Sequence, residues 1–197
     1  MGKRSKQLRV VILASTRGTD FGALLKEQAQ GKLKGVEFVG LIANRECDAL
    51  ERARLSKVPT FLIAGNAPDF AAKLLVTVRQ LQPDLICLIG FLKILSPEFC
   101  QAFQNKILNV HPSLLPKYAG GLNLDVHAAL LKNKEKETGM TIHLVTSQVD
   151  AGPIICQKSV PVDPTDTPER LKAKVQALEK KWYPEVVRWF RDGKFYF

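Results

Sequence analysis

The sequence has few cysteines, few histidines and no long apolar run. The four cysteines of the 197-residue chain are scattered without a C-x-x-C pair, and the three histidines show no ligand spacing. We therefore expect neither a disulfide framework nor a bound metal, and thiols inside apolar runs are expected to serve as small hydrophobic side chains. The apolar runs are strand-sized, well short of the roughly 18 residues that a transmembrane helix needs, so no membrane partner is expected.

Acidic residues are also under-represented, with 19 Asp and Glu against 29 Lys and Arg, which gives a net charge of +10. Such an excess suits nucleic acid, an anionic membrane surface or phosphorylated small molecules. The basic residues cluster at positions 3–9 and 170–194, and neither cluster is interleaved with aromatic residues as a base-stacking surface would be. Net charge alone does not choose among these partners.

The N-terminus is basic, and the apolar run that follows it at residues 8–15 is short and lacks a cleavage-site pattern. We therefore expect a cytoplasmic protein. Hydrophobic residues make up 46% and charged residues 24% of the chain, as in an ordinary globular protein. One domain spanning residues 1–197 is predicted, with residues 1–7 as a flexible basic N-terminus, in a monomer or a homodimer.

Short apolar runs alternate with stretches of helical spacing along the first half of the chain. The runs are residues 8–15, 36–44, 59–64, 84–91, 107–110, 140–146 and 153–162, and the helical stretches between the first five are 21–30, 48–56 and 69–80. This alternation predicts a parallel sheet with crossover helices. After His111 we expect a loop to residue 121, a helix at 126–132, two strands and a final helix from about 169 to 191. The predicted fold is a single Rossmann-like α/β domain, with a mostly parallel twisted sheet flanked by helices and an irregular C-terminal third.

The carboxyl ends of the strands are where ligands bind in such sheets. The first strand ends in Ala14-Ser-Thr-Arg-Gly-Thr-Asp20, a loop with glycine and hydroxyl groups that opens into a helix. Free N–H groups and the helix dipole at this position favour a phosphate. The loop has neither the G-x-G-x-x-G nor the Walker pattern, so an ordinary turn between strand and helix remains an alternative.

Two other strand ends carry side chains able to do chemistry. Asn109 and His111 are two positions apart, so they point to the same side of an extended strand, which Pro112 then ends. Asp150 lies between the last two strands; if its carboxylate reaches His111, it orients the ring and favours the charged imidazolium. Such a set polarises a carbonyl, stabilises an oxyanion and moves a proton. The alternatives are a core histidine, a capping asparagine and an Asx turn.

These residues carry a resemblance to a known family. The block Asn109-Val-His-Pro-Ser-Leu-Leu-Pro116, followed by Asp150-Ala-Gly-Pro-Ile154, resembles the folate-dependent formyltransferases. Three further blocks extend the resemblance over nearly the whole chain: Gly90-Phe-Leu-Lys-Ile-Leu-Ser-Pro97, Gly139-Met-Thr-Ile-His143, and Gln176-Ala-Leu-Glu179 with Tyr183-Pro184. The resemblance implies transfer of a formyl group from 10-formyltetrahydrofolate, as co-substrate and without a metal, to a primary amine, with phosphoribosylglycinamide of purine synthesis as the expected acceptor.

The resemblance also assigns residues to roles. It implies that Asn109, His111 and Asp150 are catalytic. The residues that it assigns to the formyl folate are Leu92, Lys93, Ile94, Leu95, Asn109, Val145, Thr146 and Asp150. Those that it assigns to the phosphorylated acceptor are Gly18, Thr19, Asp20, Pro112, Gln176 and Glu179. We interpret His127 as a helix-face residue and His143 as a strand residue near the site.

The chain departs from the family at the loop after the first strand. The family has Ser-Gly-x-Gly-Ser/Thr-Asn, whereas this chain has Ser15-Thr-Arg-Gly-Thr-Asp20, with Thr16 in place of the first glycine, Arg17 at the variable position and Asp20 in place of the asparagine. Segment 65–69 also lacks the family's arginine. A carboxylate beside a phosphate is unfavourable, so we expect Asp20 either to pair with Arg17 or to cap the helix. An amino sugar nucleotide therefore remains an alternative acceptor. A basic nucleic-acid-binding domain with a decayed site is a third hypothesis, but the intact Asn–His–Asp set counts against it, so no nucleic-acid partner is expected.

Overall fold

Residues 7–121 and 123–195 are described by the computed structural model, and strands alternate with helices through most of them. The strands are β1 (Leu8–Ala14), β2 (Val36–Ala43), β3 (Thr60–Leu62), β4 (Leu85–Ile89), β5 (Ile107–His111), β6 (Glu137–Leu144) and β7 (Ile154–Pro161). The helices are α1 (Thr19–Ala29), α2 (Asp48–Leu55), α3 (Phe70–Leu81), α4 (Pro97–Ala102), α5 (Asn123–Lys132) and α6 (Pro168–Arg191).

The seven strands form one sheet in the order β3-β2-β1-β4-β5-β6-β7. The first five strands pair in parallel, and β6 and β7 pair antiparallel to their neighbours. The predicted α/β fold with a mostly parallel sheet is confirmed. Because β1 and β4 lie side by side at the point where the chain order reverses, their carboxyl ends border the crevice in which such sheets bind ligands.

Both faces of the central strands are covered. Val10 and Ile12 of β1 pack with residues of α1, α2 and α6, whereas Val11 and Leu13 pack with residues of α3 and α4. Alternate side chains of a strand point to opposite faces, so each face of the sheet has its own hydrophobic core. This explains why the strand sequences are nearly continuous in Val, Ile and Leu.

The final helix has a distinct start and a regular buried face. Thr167 is its N-cap, with its hydroxyl accepting the N–H of Arg170 at 3.3 Å, and Pro168 begins the helix. Its buried face follows the four-residue spacing Leu171, Val175, Glu179, Tyr183 and Val187. A glutamate therefore occupies a position of α6 at which an apolar residue is normal.

Two predictions about elements need comment. Helix α4 was not predicted, because its six residues are too few to show a periodic pattern; the Ser96-Pro97 start was the available signal, and Ser96 does accept the N–H of Phe99. The basic N-terminus predicted at residues 1–7 lies, for residues 1–6, outside the described part of the chain. Within the described part, no helix has the length and apolar character needed to cross a bilayer.

Candidate active site

The change from parallel to antiparallel pairing brings the polar residues of two strands together. In the β5–β6 register Asn109 lies opposite His143, and His111 lies opposite Thr141. The loop after β6 then carries Asp150 back to the end of β5. The three residues that the sequence analysis selected as catalytic, Asn109, His111 and Asp150, are therefore adjacent in space.

Asp150 lies at the centre of this cluster. Its Oδ2 is 3.1 Å from His111 Nδ1 and accepts the N–H of Gly120 at 2.8 Å, and its Oδ1 accepts from Asn109 Nδ2 at 3.5 Å. Burial raises the pKa of the Asp150 carboxyl, but the hydrogen bonds from His111 and Gly120 outweigh burial and hold the pKa well below its usual range. Asp150 is thus a carboxylate whenever the protein is folded near neutral pH.

His111 has a hydrogen-bond acceptor on each side. Its Nδ1 faces Asp150, and its Nε2 is 2.9 Å from the backbone carbonyl oxygen of Tyr118. Both partners only accept, so the doubly protonated imidazolium satisfies both contacts. Tyr118 has a left-handed backbone (φ 62°), which aims its carbonyl at the ring from the loop over the site. A substrate oxygen that uses Nε2 must replace this carbonyl.

His143 also belongs to the site, and its role there was not predicted from the sequence. Its Nε2 is 3.2 Å from Asn109 Nδ2 and 3.4 Å from Asp150 Oδ1, while its Nδ1 is 2.9 Å from the Leu144 carbonyl oxygen. A proton on Nδ1 satisfies that carbonyl and leaves Nε2 to accept from the Asn109 amide. His143 therefore orients Asn109. Its two-residue spacing from Thr141, on the strand after the HPSLLP block, was the available signal.

The predicted folate residues lie in two loops at the same end of the sheet. Leu92 and Ile94 after β4 are exposed, and Val149 of the loop after β6 is also exposed. Such uncovered apolar side chains suit a flat aromatic ligand. The rest of the set differs in burial: Lys93 and Thr146 are exposed, Val145 is half-buried, and Leu95 is buried in the core, so only the backbone of Leu95 is available to a ligand.

The loop after β4 is fastened to the end of β1. The Ser15 hydroxyl accepts the N–H of Leu92 at 3.0 Å and donates to Asn44 Oδ1 at 2.5 Å. The Ser15 carbonyl in turn accepts from Arg45 Nε at 2.7 Å. The ends of β1, β2 and β4 are thereby linked through one serine.

All six predicted acceptor residues line a single cavity of about 110 Å³. Val110 and Pro112, the chain neighbours of His111, belong to its wall, whereas Asn109, His111 and Asp150 do not. Thr16, Ile89, Gly90, Val175, Lys172 and His127 complete the lining. Lys172 provides a positive charge here, whereas segment 65–69 contains Asp69 in an ion pair with Lys73.

Asp20 adopts neither of the two arrangements expected for it. Within the described residues no ion pair joins it to Arg17, which is exposed, and Gly18 is the N-cap of α1, with no side chain capping the helix. Both expectations were wrong because Asp20 is only 4% exposed, packed where α6 covers the first turn of α1. Burial raises its pKa to about 7, against a smaller opposing effect of Lys180.

Two other buried titratable groups, Glu179 and His127, share this cavity. Glu179 is 7% exposed, and burial together with the charge of Asp20 raises its pKa to about 8. His127 is 1% exposed, and burial with the help of Lys172 lowers its pKa to about 4, which makes it a neutral ring. His127 lies on α5, as predicted, and lines this cavity. No cluster of His, Cys, Asp and Glu suited to a metal ion occurs among the described residues.

Comparisons with known proteins show which sequences and folds this chain resembles. The sequence profile of the family described as formyl transferase matches residues 8–187. The phosphoribosylglycinamide formyltransferase of Escherichia coli is 36% identical over 193 residues, which cover 95% of this chain and 89% of that protein. The structure of the Coxiella burnetii phosphoribosylglycinamide formyltransferase is 40% identical, with a TM-score of 0.88 over 95% of this chain and 88% of that chain. Glycinamide ribonucleotide transformylase 1 of Symbiobacterium toebii is 34% identical, with a TM-score of 0.90 and coverage of 98% and 92%.

Proposed function

This chain belongs to the formyl transferase family, and we propose that it transfers the formyl group of 10-formyltetrahydrofolate to the primary amine of phosphoribosylglycinamide. This reaction is a step of purine synthesis. The observation that carries the proposal is the cavity. It is lined by all six residues assigned to the acceptor, and its wall includes Val110 and Pro112, the chain neighbours of His111. A ligand bound there presents one end to the Asn109–His111–Asp150 cluster.

The cluster has the groups that acyl transfer needs. The acceptor amine attacks the formyl carbon, and the carbonyl oxygen becomes an oxyanion. His111 Nε2 donates a hydrogen bond to this oxyanion, and so does the Asn109 N–H that in the free protein makes the long 3.5 Å contact to Asp150. Asp150 holds the imidazolium in place. The proton lost by the amine passes to the departing nitrogen of the folate. For this step the formyl oxygen takes the position that the Tyr118 carbonyl holds beside His111.

The acceptor end of the site is built from α1 and α6. The backbone N–H groups of Gly18 and Thr19 at the start of α1 bind the phosphate, and Lys172 contributes positive charge. Gln176 and Glu179 of α6 contact the ribose. The net charge of +10 favours capture of both substrates, because a phosphorylated acceptor and a glutamylated folate are anions.

One observation favours a second candidate acceptor. Asp20 brings an acid to the cavity where the family has a neutral asparagine, and it does so without a cationic partner inside hydrogen-bonding range in the described residues. A formyltransferase of the same fold acting on an amino sugar nucleotide is therefore the alternative.

A formyl-transfer assay tests the proposal directly. Purified protein is incubated with 10-formyltetrahydrofolate and, in parallel, with phosphoribosylglycinamide, an amino sugar nucleotide or glycinamide without the phosphoribosyl group. We expect turnover with the first and at least about 100-fold lower kcat/KM with the others, because glycinamide lacks the phosphate that α1 binds and a sugar nucleotide is bulkier than the phosphoribosyl group. Preference for the amino sugar nucleotide would establish the alternative. A deaza analogue of the folate should also raise Tm, and the lack of any shift at saturation would contradict a folate site.

A further inference from the structure

Asp20 and Glu179 place two carboxyl groups in the wall of one small cavity. Asp20 comes from the first turn of α1 and Glu179 from the core-facing row of α6, and they are 4% and 7% exposed. Asp20 Oδ1 is fully buried and has no hydrogen-bond partner. Buried carboxyl oxygens normally have partners, so Asp20 lines the cavity with hydrogen-bonding capacity that the described residues leave unused.

The charged groups around the pair do not neutralise it. Lys172 and Lys180 on α6 act on it through space, His127 on α5 is neutral, and the Tyr183 hydroxyl points to the backbone carbonyls of Leu88 and Leu108. On the α2 side, Arg52 is engaged with the Arg17 carbonyl. Among the described residues, no cationic nitrogen lies within ion-pair distance of either Asp20 or Glu179. Two like charges in a site of this kind do not ionise together at neutral pH.

We propose that Asp20 and Glu179 share one proton at neutral pH and that this singly protonated pair is the form that binds the phosphorylated acceptor. The inference rests on the proposed function and adds a determinant of acceptor recognition to it. One carboxyl then donates from its O–H and the other accepts, so the pair offers both kinds of hydrogen bond. With the proton in place, the cavity carries one negative charge less beside the phosphate.

The pH dependence of acceptor binding follows from this arrangement. When the pH rises and the pair loses its proton, a second negative charge appears beside the bound phosphate. Affinity for the phosphate ester therefore falls, by up to tenfold per pH unit above the upper titration of the pair. A cationic ligand would show the opposite slope.

Calorimetric titration with ribose 5-phosphate between pH 7 and pH 9 tests the proposal. This probe has no amine, and its phosphate is already a dianion in that range, so the ligand itself does not titrate. For the unmodified chain we expect Kd to rise at least about tenfold over the range, with uptake of up to one proton per ligand bound, measured by comparing buffers of different ionisation enthalpy. For Asp20→Asn, Kd should vary less than about threefold over the same pH range. Asp48→Asn, the same change in the exposed first turn of α2, should keep the full slope.

Glu179→Gln is the second variant, and ligand-free stability is the second readout. Without a charged neighbour, Asp20 titrates at lower pH, so affinity should begin to fall at a lower pH in Glu179→Gln. In the folded chain the raised pKa values mean that more protons are bound than in the unfolded chain. Stability of the unmodified chain should therefore decline from about pH 5 to pH 8, and Asp20→Asn should reduce the decline.

Several results would overturn the inference. They are a flat Kd for the unmodified chain, a full slope in Asp20→Asn, affinity that rises with pH, or no binding of ribose 5-phosphate at any pH. The proposed function is judged separately, by formyl transfer to phosphoribosylglycinamide at pH 7. Turnover with a flat Kd would refute the shared proton alone, whereas a missing turnover would refute the function.

Discussion

Replacing Asp150 by asparagine removes a charge from the centre of the catalytic cluster while keeping its shape. The carboxylate receives contacts from His111, Gly120, Asn109 and His143, and its side chain is 9% exposed. An asparagine whose oxygen takes the Oδ2 position still accepts from His111 and Gly120. The substitution therefore tests the charge of Asp150 more than its hydrogen bonds.

The expected loss can be worked from the 3.1 Å contact between His111 Nδ1 and Asp150 Oδ2. At an effective dielectric constant of about 20, two unit charges at this distance attract by about 5 kcal/mol. A neutral hydrogen bond to the asparagine retains about 1 kcal/mol of this. The remaining ~4 kcal/mol is lost from the imidazolium that stabilises the oxyanion, which corresponds to roughly a thousandfold in rate.

Single-turnover formyl transfer at saturating substrates measures this loss at the chemical step. We expect kcat to fall by about 10³ in Asp150→Asn with little change in the acceptor KM, because Asp150 is not part of the acceptor cavity wall. Asp192→Asn makes the same chemical change at the exposed end of α6 and should leave the rate unaltered. A rate for Asp150→Asn within tenfold of the unmodified enzyme would refute the role given to the carboxylate.

Three further predictions concern the cluster and the fold. His111→Ala and Asn109→Ala should each lower kcat at least about 100-fold in steady-state assays, and near-normal turnover in either would exclude it from oxyanion stabilisation. His143→Ala should lower kcat by about tenfold at unchanged acceptor KM, with partial recovery in His143→Gln, because the Asn109 amide loses the nitrogen that orients it; equal rates in all three proteins would contradict this. Gly152→Ala should lower Tm by about 5–10 °C in thermal unfolding, because a Cβ there meets the Leu144 carbonyl oxygen at 1.8 Å. Gly22→Ala, approached only by the Arg52 side chain, is its control and should not lower Tm.

The sheet could be predicted from the sequence because its central strands are buried on both faces. Residues 10–14 of β1 and 85–89 of β4 are apolar without interruption, and the helices between strands have their own period. Helix α4 did not follow from periodicity, since six residues make fewer than two turns. Sequence periodicity thus predicts only those elements that are long enough to show the period more than once.

The site was predictable where its geometry is local to one strand. Asn109 and His111 share a side of β5 through their spacing alone. His143 joins them through antiparallel pairing, which a sequence does not display, so its contact with Asn109 was not predicted. The burial of Asp20 likewise depends on α6, roughly 150 residues later in the chain, covering α1. Distant packing decides what those two side chains do.

The β5–β6 register also limits how this chain can change length during evolution. Thr141, on the same side of β6 as His143, fixes that register: its hydroxyl donates to the Ser113 carbonyl at 2.7 Å and accepts the N–H of Leu115 at 3.1 Å. A slip of one residue would turn His143 away from Asn109 and bury Ile142 or Leu144 in the polar cluster. Insertions are therefore tolerated in the turn between α5 and β6 only when they are looped out before residue 137, where the strand begins. A single residue inserted within the strand can leave the chain folded but removes the arrangement that makes it active.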